Sequence, residues 1–362
     1  MSFFENPVAV IAGLLRELLA SLLPGWLVSF LMALIGAAVL VGAISGVVIL
    51  LVWMERKIIA RMQDRIGPNR VGPFGLLQTV ADAVKLLSKE DIIPDRVDKI
   101  LFILSPILVL SASLMAWAVI PWSPAVVPAD VNVGVLFILA MGSMPVIGVI
   151  MAGWGSNNKY ALLGGMRSAA QLISYEIPGV LAALVPVMLA GTMSLSGIVQ
   201  AQEQTAPLSN WWFLFSPWGF IGFIVFLISG IAETNRTPFD LIEAESELAA
   251  GFHTEYSGMR FALFFLAEYA NIFAVSAVGA TLFLGGWAGP IPFVPSFGPG
   301  IVWFLGKVFF MVFVFMWIRS TLPRLRYDQL MNFAWKRLLP LGLVNVGLTA
   351  VWLTILNGLL RG

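Results

Sequence analysis

Six carboxylates crowd residues 233–258: Glu233, Asp240, Glu243, Glu245, Glu247 and Glu255, against the single cation Arg236. Thr237 followed by Pro238 reads as an N-cap with proline at the first helical position. Asp240, Glu243 and Glu247 then fall at i, i+3 and i+7 on one helix face. Like charges at that spacing repel, and any burial favours the neutral acid. Both effects raise carboxyl pKa values toward the range where protons exchange near neutral pH. The competing reading is a solvated acidic loop, but Leu241-Ile242 and Leu248-Ala249-Ala250 supply apolar material that would dock such a helix. Two more acids, Glu176 and Glu268, lie inside long apolar stretches. There a carboxylate must be protonated, paired or wetted, so it marks function by default. Pro178 cannot donate to the Ser174 carbonyl, which predicts a break or kink beside Glu176.

The chain has no cysteine and one histidine, His253. Thiolate-ligated iron–sulfur clusters, cysteine nucleophiles, disulfides and multi-histidine metal sites are thereby excluded. His253 is a loop residue with no assigned role. Neither a G-x-G-x-x-G nor a Walker A pattern is present, and nothing in the chain addresses nucleic acid. No iron–sulfur cluster, flavin, haem or metal is expected on this chain. A redox event would need a cofactor on another chain or a diffusible apolar molecule.

The elements that must hold these acids are membrane helices. Of 362 residues 59% are apolar and 11% charged, with mean hydropathy +0.92, far from the balance of a soluble domain. A spanning helix needs about 20 mostly apolar residues. Eight stretches qualify: 27–53, 100–120, 133–152, 160–189, 218–232, 259–285, 300–320 and 338–358. The expected fold is all-α, a polytopic bundle of about eight spans in a single domain over 26–362, with amphipathic interfacial helices on the cytoplasmic side. The fifth stretch is short and is expected to borrow residues from its flanks. Residues 1–25 form an N-terminal interfacial segment, because Arg16 and Glu17 interrupt its apolar run and Pro24-Gly25 separates it from the first span. The start lacks the basic stretch of a removable signal peptide.

The connections 54–99, 153–159, 233–258 and 320–337, with their adjoining helix ends, carry 18 of the 21 Lys and Arg. The positive-inside rule makes that side cytoplasmic and both termini periplasmic. The outer connections are nearly uncharged and rich in Pro and Gly. Lys307 lies near a span end and is expected to snorkel outward. Two Gly-Pro pairs within 67–73 predict a stiff turn. The helix after it would line Leu76, Val80, Val84 and Leu87 on one stripe, with Gln78, Asp82, Lys85 and Lys89 on another, Asp82 and Lys85 close enough to pair. Such a helix suits the membrane interface.

Several segments carry a resemblance. They include Glu55-Arg56-Lys57, Gly67-Pro68-Asn69-Arg70-Val71-Gly72-Pro73-Phe74-Gly75, Ala81-Asp82-Ala83-Val84-Lys85 and Ile173-Ser174-Tyr175-Glu176. Glu233-Thr234-Asn235-Arg236-Thr237-Pro238-Phe239-Asp240, Glu243-Ala244-Glu245-Ser246-Glu247, Ala267-Glu268-Tyr269 and Arg326-Tyr327-Asp328-Gln329-Leu330-Met331 complete the set. Over nearly the whole length after the first span, the chain resembles the H-subunit (subunit 1) family of proton-pumping NADH–quinone oxidoreductase, respiratory complex I. The resemblance implies a membrane subunit without a redox centre, inactive alone, at the foot of the peripheral arm. Its partners would be the soluble quinone-site and iron–sulfur subunits on the cytoplasmic loops, antiporter-like and small membrane subunits alongside, and the lipid bilayer, here a bacterial inner membrane. Quinone would be the substrate. By position, Arg56, Arg65, Asp82, Arg236, Asp240, Glu243, Glu245, Glu247 and Arg319 would line the quinone chamber. Glu176, Glu233 and Glu268 would form a proton path, entered at Glu247. The segment 1–25 has no counterpart to carry over.

Other classes fit part of the pattern. A stand-alone proton- or cation-coupled transporter explains the intramembrane acids but not the contrast between elaborate cytoplasmic loops and plain outer ones. A membrane component of a related hydrogenase-type complex shares many motifs, though the long Gly-Pro-Asn-Arg segment favours the quinone-linked branch. A passive anchor needs no deep glutamates.

Overall fold

In hydrocarbon every backbone N–H and C=O must be satisfied within the segment, which leaves an apolar chain the helix. The computed structural model describes residues 7–124, 126–204, 212–240, 250–289 and 300–361, and among these no β-strand is present. The helices are α1 Pro7–Ala20, α2 Gly25–Met62, α3 Gln78–Ser88, α4 Lys99–Met115, α5 Gly134–Gly155, α6 Lys159–Ala190, α7 Leu195–Gln204, α8 Trp212–Phe215, α9 Pro217–Glu233, α10 Gly258–Phe283, α11 Gly300–Thr321, α12 Tyr327–Phe333 and α13 Leu339–Arg361. Among the described residues seven helices are long and apolar enough to cross a membrane, and α9 is apolar but shorter. The chain is an all-α polytopic bundle.

The short α9 takes one residue from each flank, Pro217 and Glu233. The Ser216 hydroxyl accepts the Gly219 N–H at 3.0 Å and fixes its start, and a turn at Thr234 ends it. Its 17 residues span about 25 Å at 1.5 Å each. Helix α2 goes the other way and runs nine residues past the expected end of the first span to Met62. The sequence Glu55-Arg56-Lys57-Ile58-Ile59-Ala60-Arg61-Met62 is made of strong helix formers with no breaker. That extension carries Glu55 onto a rigid helix. The 14-residue α1 is too short to span.

Helix α10 lies at the centre. Ala270, Phe273, Ala277, Ala280, Leu282 and Phe283 are fully buried along it. Toward the end remote from Glu268, Phe273 stacks on Trp117 at 4.6 Å, and Trp122 packs edge-on to Phe304 at 5.9 Å. Helices α5 and α6 meet through small residues: a Cβ on Gly165 would sit 3.3 Å from the Gly153 Cα. Such surfaces let membrane helices approach closely. Of the break or kink expected at Pro178 the structure shows no break: α6 continues through Pro178 and Pro186. Its neighbours lock the turn before Pro178. The Tyr175 hydroxyl donates to the Leu330 carbonyl at 2.9 Å, and the Trp335 indole donates to the Ser174 hydroxyl at 3.1 Å. Proline is tolerated in a membrane helix on those terms.

Lys307 does not snorkel. It is buried and donates to the carbonyls of Gly286 at 3.0 Å and Ala288 at 2.6 Å, tying α11 to the end of α10. In the stiff segment before α3, Gly75 has φ +77°, and a Cβ there would lie 2.2 Å from the Pro68 carbonyl oxygen, so only glycine fits. Helix α3 turns its apolar stripe outward, with Val80, Val84 and Leu87 all exposed.

Candidate functional site

Arg236 organises the site. It sits just past α9, 4% exposed, in a run of turns rather than a helix. The Phe239 N–H bonds back to the Arg236 carbonyl at 2.8 Å and closes a turn, so Thr237 caps nothing and the expected helix does not begin there. Asn235 takes a left-handed conformation, φ +52°, which asparagine tolerates better than most residues. The segment is held from α6. The buried Gln171 amide donates to the carbonyls of Ala232 and Phe239, each at 2.9 Å, and to the Asn235 Oδ1 at 3.3 Å.

So placed, the Arg236 guanidinium lies 3.1 Å from the Glu268 carboxylate on α10 and 3.6 Å from Glu55 on α2. It also covers the Tyr269 ring at 4.3 Å, an attractive cation–π geometry. The Tyr269 hydroxyl donates to Glu55 Oε1 at 3.2 Å, and Arg319, in the last turn of α11, bonds the same carboxylate. Two cations and two anions from three helices and a loop thus form one buried, neutral cluster. Beside it, buried Asp240 pairs with Arg324 at 3.1 Å.

Two small cavities lead away from the cluster, the first of them lined by Glu268. One, of about 70 Å³, is lined by Glu268, Glu233, His253, Asn271 and Ser113. The next, of about 60 Å³, is lined by Glu233, Glu176, Asn271 and Ser113. They share Glu233, Asn271, Ser113, Gly142 and Pro145. A water requires roughly 10–15 Å³ and a few polar partners, so each cavity has room for several. Gly142 makes space for the Glu233 carboxyl: a Cβ there would lie 3.2 Å from its Oε1.

The predicted residues therefore divide. Arg236, Glu268 and Arg319 meet in the cluster, and Glu176 and Glu233 line the cavities. Arg56 and Asp82 pair with each other at 2.6 Å on a half-exposed face. Asp82 also accepts from Gln78 at 3.1 Å, so its partners are Arg56 and Gln78 and not Lys85. Arg65 is exposed beyond α2. Glu243, Glu245 and Glu247 lie outside the described residues. Glu55, Tyr269, Gln171, Arg324 and Asn271 were not singled out in advance. Glu55 and Tyr269 stand inside the motifs that carry the resemblance, which was the available signal. Among the described residues no group of three or more His, Asp or Glu is arranged to hold a metal.

His253 lines the larger cavity, edge-on to Phe252 at 5.0 Å and Phe261 at 5.4 Å. Burial pushes its imidazole down to about 4. The opened segment, with an ordinary value near 6.5, binds more protons than the closed one between those limits. The stabilisation is then complete above about pH 6.5 and lost as pH falls toward 4, of order 2 kcal/mol given the half-buried ring. Hydrogen exchange in residues 250–256 is expected to accelerate as pH drops through that window, beyond the intrinsic trend. His253→Gln removes the extra dependence.

The comparison with known proteins decides the family. The profile of the NADH dehydrogenase family matches residues 35–350. The chain belongs to that family. Relatives named as the H subunit of NADH-quinone oxidoreductase include one from Brevibacillus brevis, 52% identical over 90% of this chain and 94% of its own length. Another, from Rickettsia prowazekii, is 56% identical over 83% of this chain and 87% of its own. A third, from Dehalococcoides mccartyi strain CBDB1, is 51% identical over 88% and 86%. The family match takes in every residue of the charge cluster and both cavities, while α1 lies outside it.

Proposed function

We propose that this chain is the H-type membrane subunit of a proton-translocating NADH–quinone oxidoreductase. In this reading it walls the quinone chamber and couples quinone reduction to proton movement through buried acids. The observation that carries the reading is the physical continuity from Arg236 to Glu176. Arg236 contacts Glu55 and Glu268 directly, Glu268 and Glu233 share one cavity, and Glu233 and Glu176 share the next.

An iron–sulfur centre held by a partner subunit would supply the electrons, and quinone, two electrons and two protons would give quinol. The chain's own part is electrostatic. Asp240, Arg236, Arg319 and the Arg56–Asp82 pair face the chamber, with Arg65 at its rim; Glu243, Glu245 and Glu247, outside the described residues, are assigned to it by the resemblance alone. Unit charges 4 Å apart interact by about 4 kcal/mol at an effective dielectric of 20, enough to drive a proton on or off a neighbour. A charge change beside Arg236 therefore reaches Glu268, then Glu233 and Glu176 through ordered water, because coupled acids titrate as a unit.

With α9 counted as an eighth and shortest crossing, the 18 of 21 Lys and Arg on the connections 54–99, 153–159, 233–258 and 320–337 and their adjoining helix ends support a cytoplasmic side for those connections, a bacterial inner membrane around the bundle and both termini in the periplasm. Ile66 and Phe74, 88% and 76% exposed in a cationic segment outside the helices, support docking of a soluble partner there. That exposure favours an assembly component over a stand-alone transporter. Glu176→Gln and Glu233→Gln in the assembled complex are the test. Each is expected to cut proton translocation about tenfold, with quinone reduction slowed less. Full translocation in both variants overturns the reading.

A further inference from the structure

A groove of about 700 Å³ opens between α9, α11, α12 and the turn that leads into α13. Its walls are apolar, built from Ile231, Phe239, Ile318 and Leu322, while its mouth holds Lys336 and Arg337 beside Gln329 and Asn332. We propose that this groove binds one anionic phospholipid, its phosphate on Lys336 and Arg337 and an acyl chain along Ile318 and Leu322. The proposal is independent of the quinone reading.

Four observations support that occupant. Among the described residues Lys336 and Arg337 have no ion-pair partner, whereas the described acids nearby are already engaged, Asp328 by Arg326 at 2.7 Å and Asp240 by Arg324. Both cations stand on a π-helical turn, Ala334–Leu338, a wide turn frequent at functional sites. That turn is pinned to α6 by the Trp335 indole on Ser174, and the Trp335 ring is half exposed, as aromatics at a membrane interface are. The chemistry is also amphiphilic. A quinone has no anionic head, inorganic phosphate has no use for an apolar trough, and a partner helix needs no pair of cations at the end of one. Basic pockets between membrane helices on the cytoplasmic side suit phospholipid headgroups. At the strength typical of a cation near an anionic lipid surface, the two together favour an anionic over a zwitterionic lipid by about thirty-fold.

The test uses the assembled complex, purified with a detergent wash, and counts phospholipid classes per complex by mass spectrometry. Wild type is expected to keep about one anionic phospholipid that Lys336→Gln/Arg337→Gln loses by tenfold or more. The exchange Lys336→Arg/Arg337→Lys and the distant control Lys159→Gln are expected to keep it. Equal retention in the double Gln variant, or none in wild type, overturns the proposal. If the double variant does not assemble, a photoactivatable residue at Leu322 in the otherwise native complex decides. Cross-linking to lipid upholds the site, and cross-linking to another protein of the complex overturns it.

Discussion

Arg236→Leu is expected to bring NADH–quinone reductase activity down to a few per cent and to destabilise the assembled complex by about 3–5 kcal/mol, the cost of removing one partner from a buried ion pair. The side chain is 4% exposed and serves two carboxylates and one ring. Arg319 still answers Glu55, but Glu268 loses the cation at 3.1 Å. Adding Glu268→Gln to Arg236→Leu therefore restores part of the stability, with a coupling of roughly 0.5–3 kcal/mol between the two sites. Arg236→Lys falls between, because an ammonium keeps the charge but neither the fork nor the planar stacking. Thermal denaturation of the purified complex and reductase rates in membranes read all three variants against the wild type. Wild-type stability in Arg236→Leu removes the cluster from the account.

The second large effect is expected at Asn271. Its carboxamide lies on the wall common to both cavities, one turn along α10 from Glu268. Asn271→Leu leaves Glu233 and Ser113 on that wall but removes one of its three polar groups, and with it one of the few partners that a water held there needs. Translocation measured in vesicles with a pH-sensitive dye is expected to fall about tenfold, whereas Asn271→Asp, still polar and of similar size, loses far less. A wild-type ratio of protons moved to quinone reduced in Asn271→Leu shows that the path does not run between the two cavities.

Much of this architecture was legible in the residues, for identifiable reasons. The helices follow from apolar length, since a backbone in hydrocarbon has few alternatives. Glu176 and Glu268 drew attention because a carboxylate in an apolar run requires a cause. Glu55 did not, because it lies next to two basic residues at the end of a span and reads as the start of a loop. Only the continuation of α2 to Met62 brings it to Arg236 and Arg319, across more than 180 positions in sequence. Pairings of that kind, like Arg324 with Asp240, are set by the packing of distant helices and have no local signature. No break occurs at Pro178 because the lost hydrogen bond is offset by the neighbours that hold the turn before it. Lys307 failed because hydropathy near a helix end does not reveal two free carbonyls within reach. Local rules also placed a helix start at Thr237, where Gln171 and Arg236 impose turns instead.

The central claim is that the ionisation of buried acids follows the redox state of the quinone. Infrared difference spectroscopy of the assembled complex, oxidised against reduced quinone, measures it most directly. A carboxylic acid C=O band is expected to change on reduction, and to shift or vanish in Glu233→Gln and Glu268→Gln. A difference spectrum without a carboxyl band, or one indifferent to both substitutions, contradicts the account.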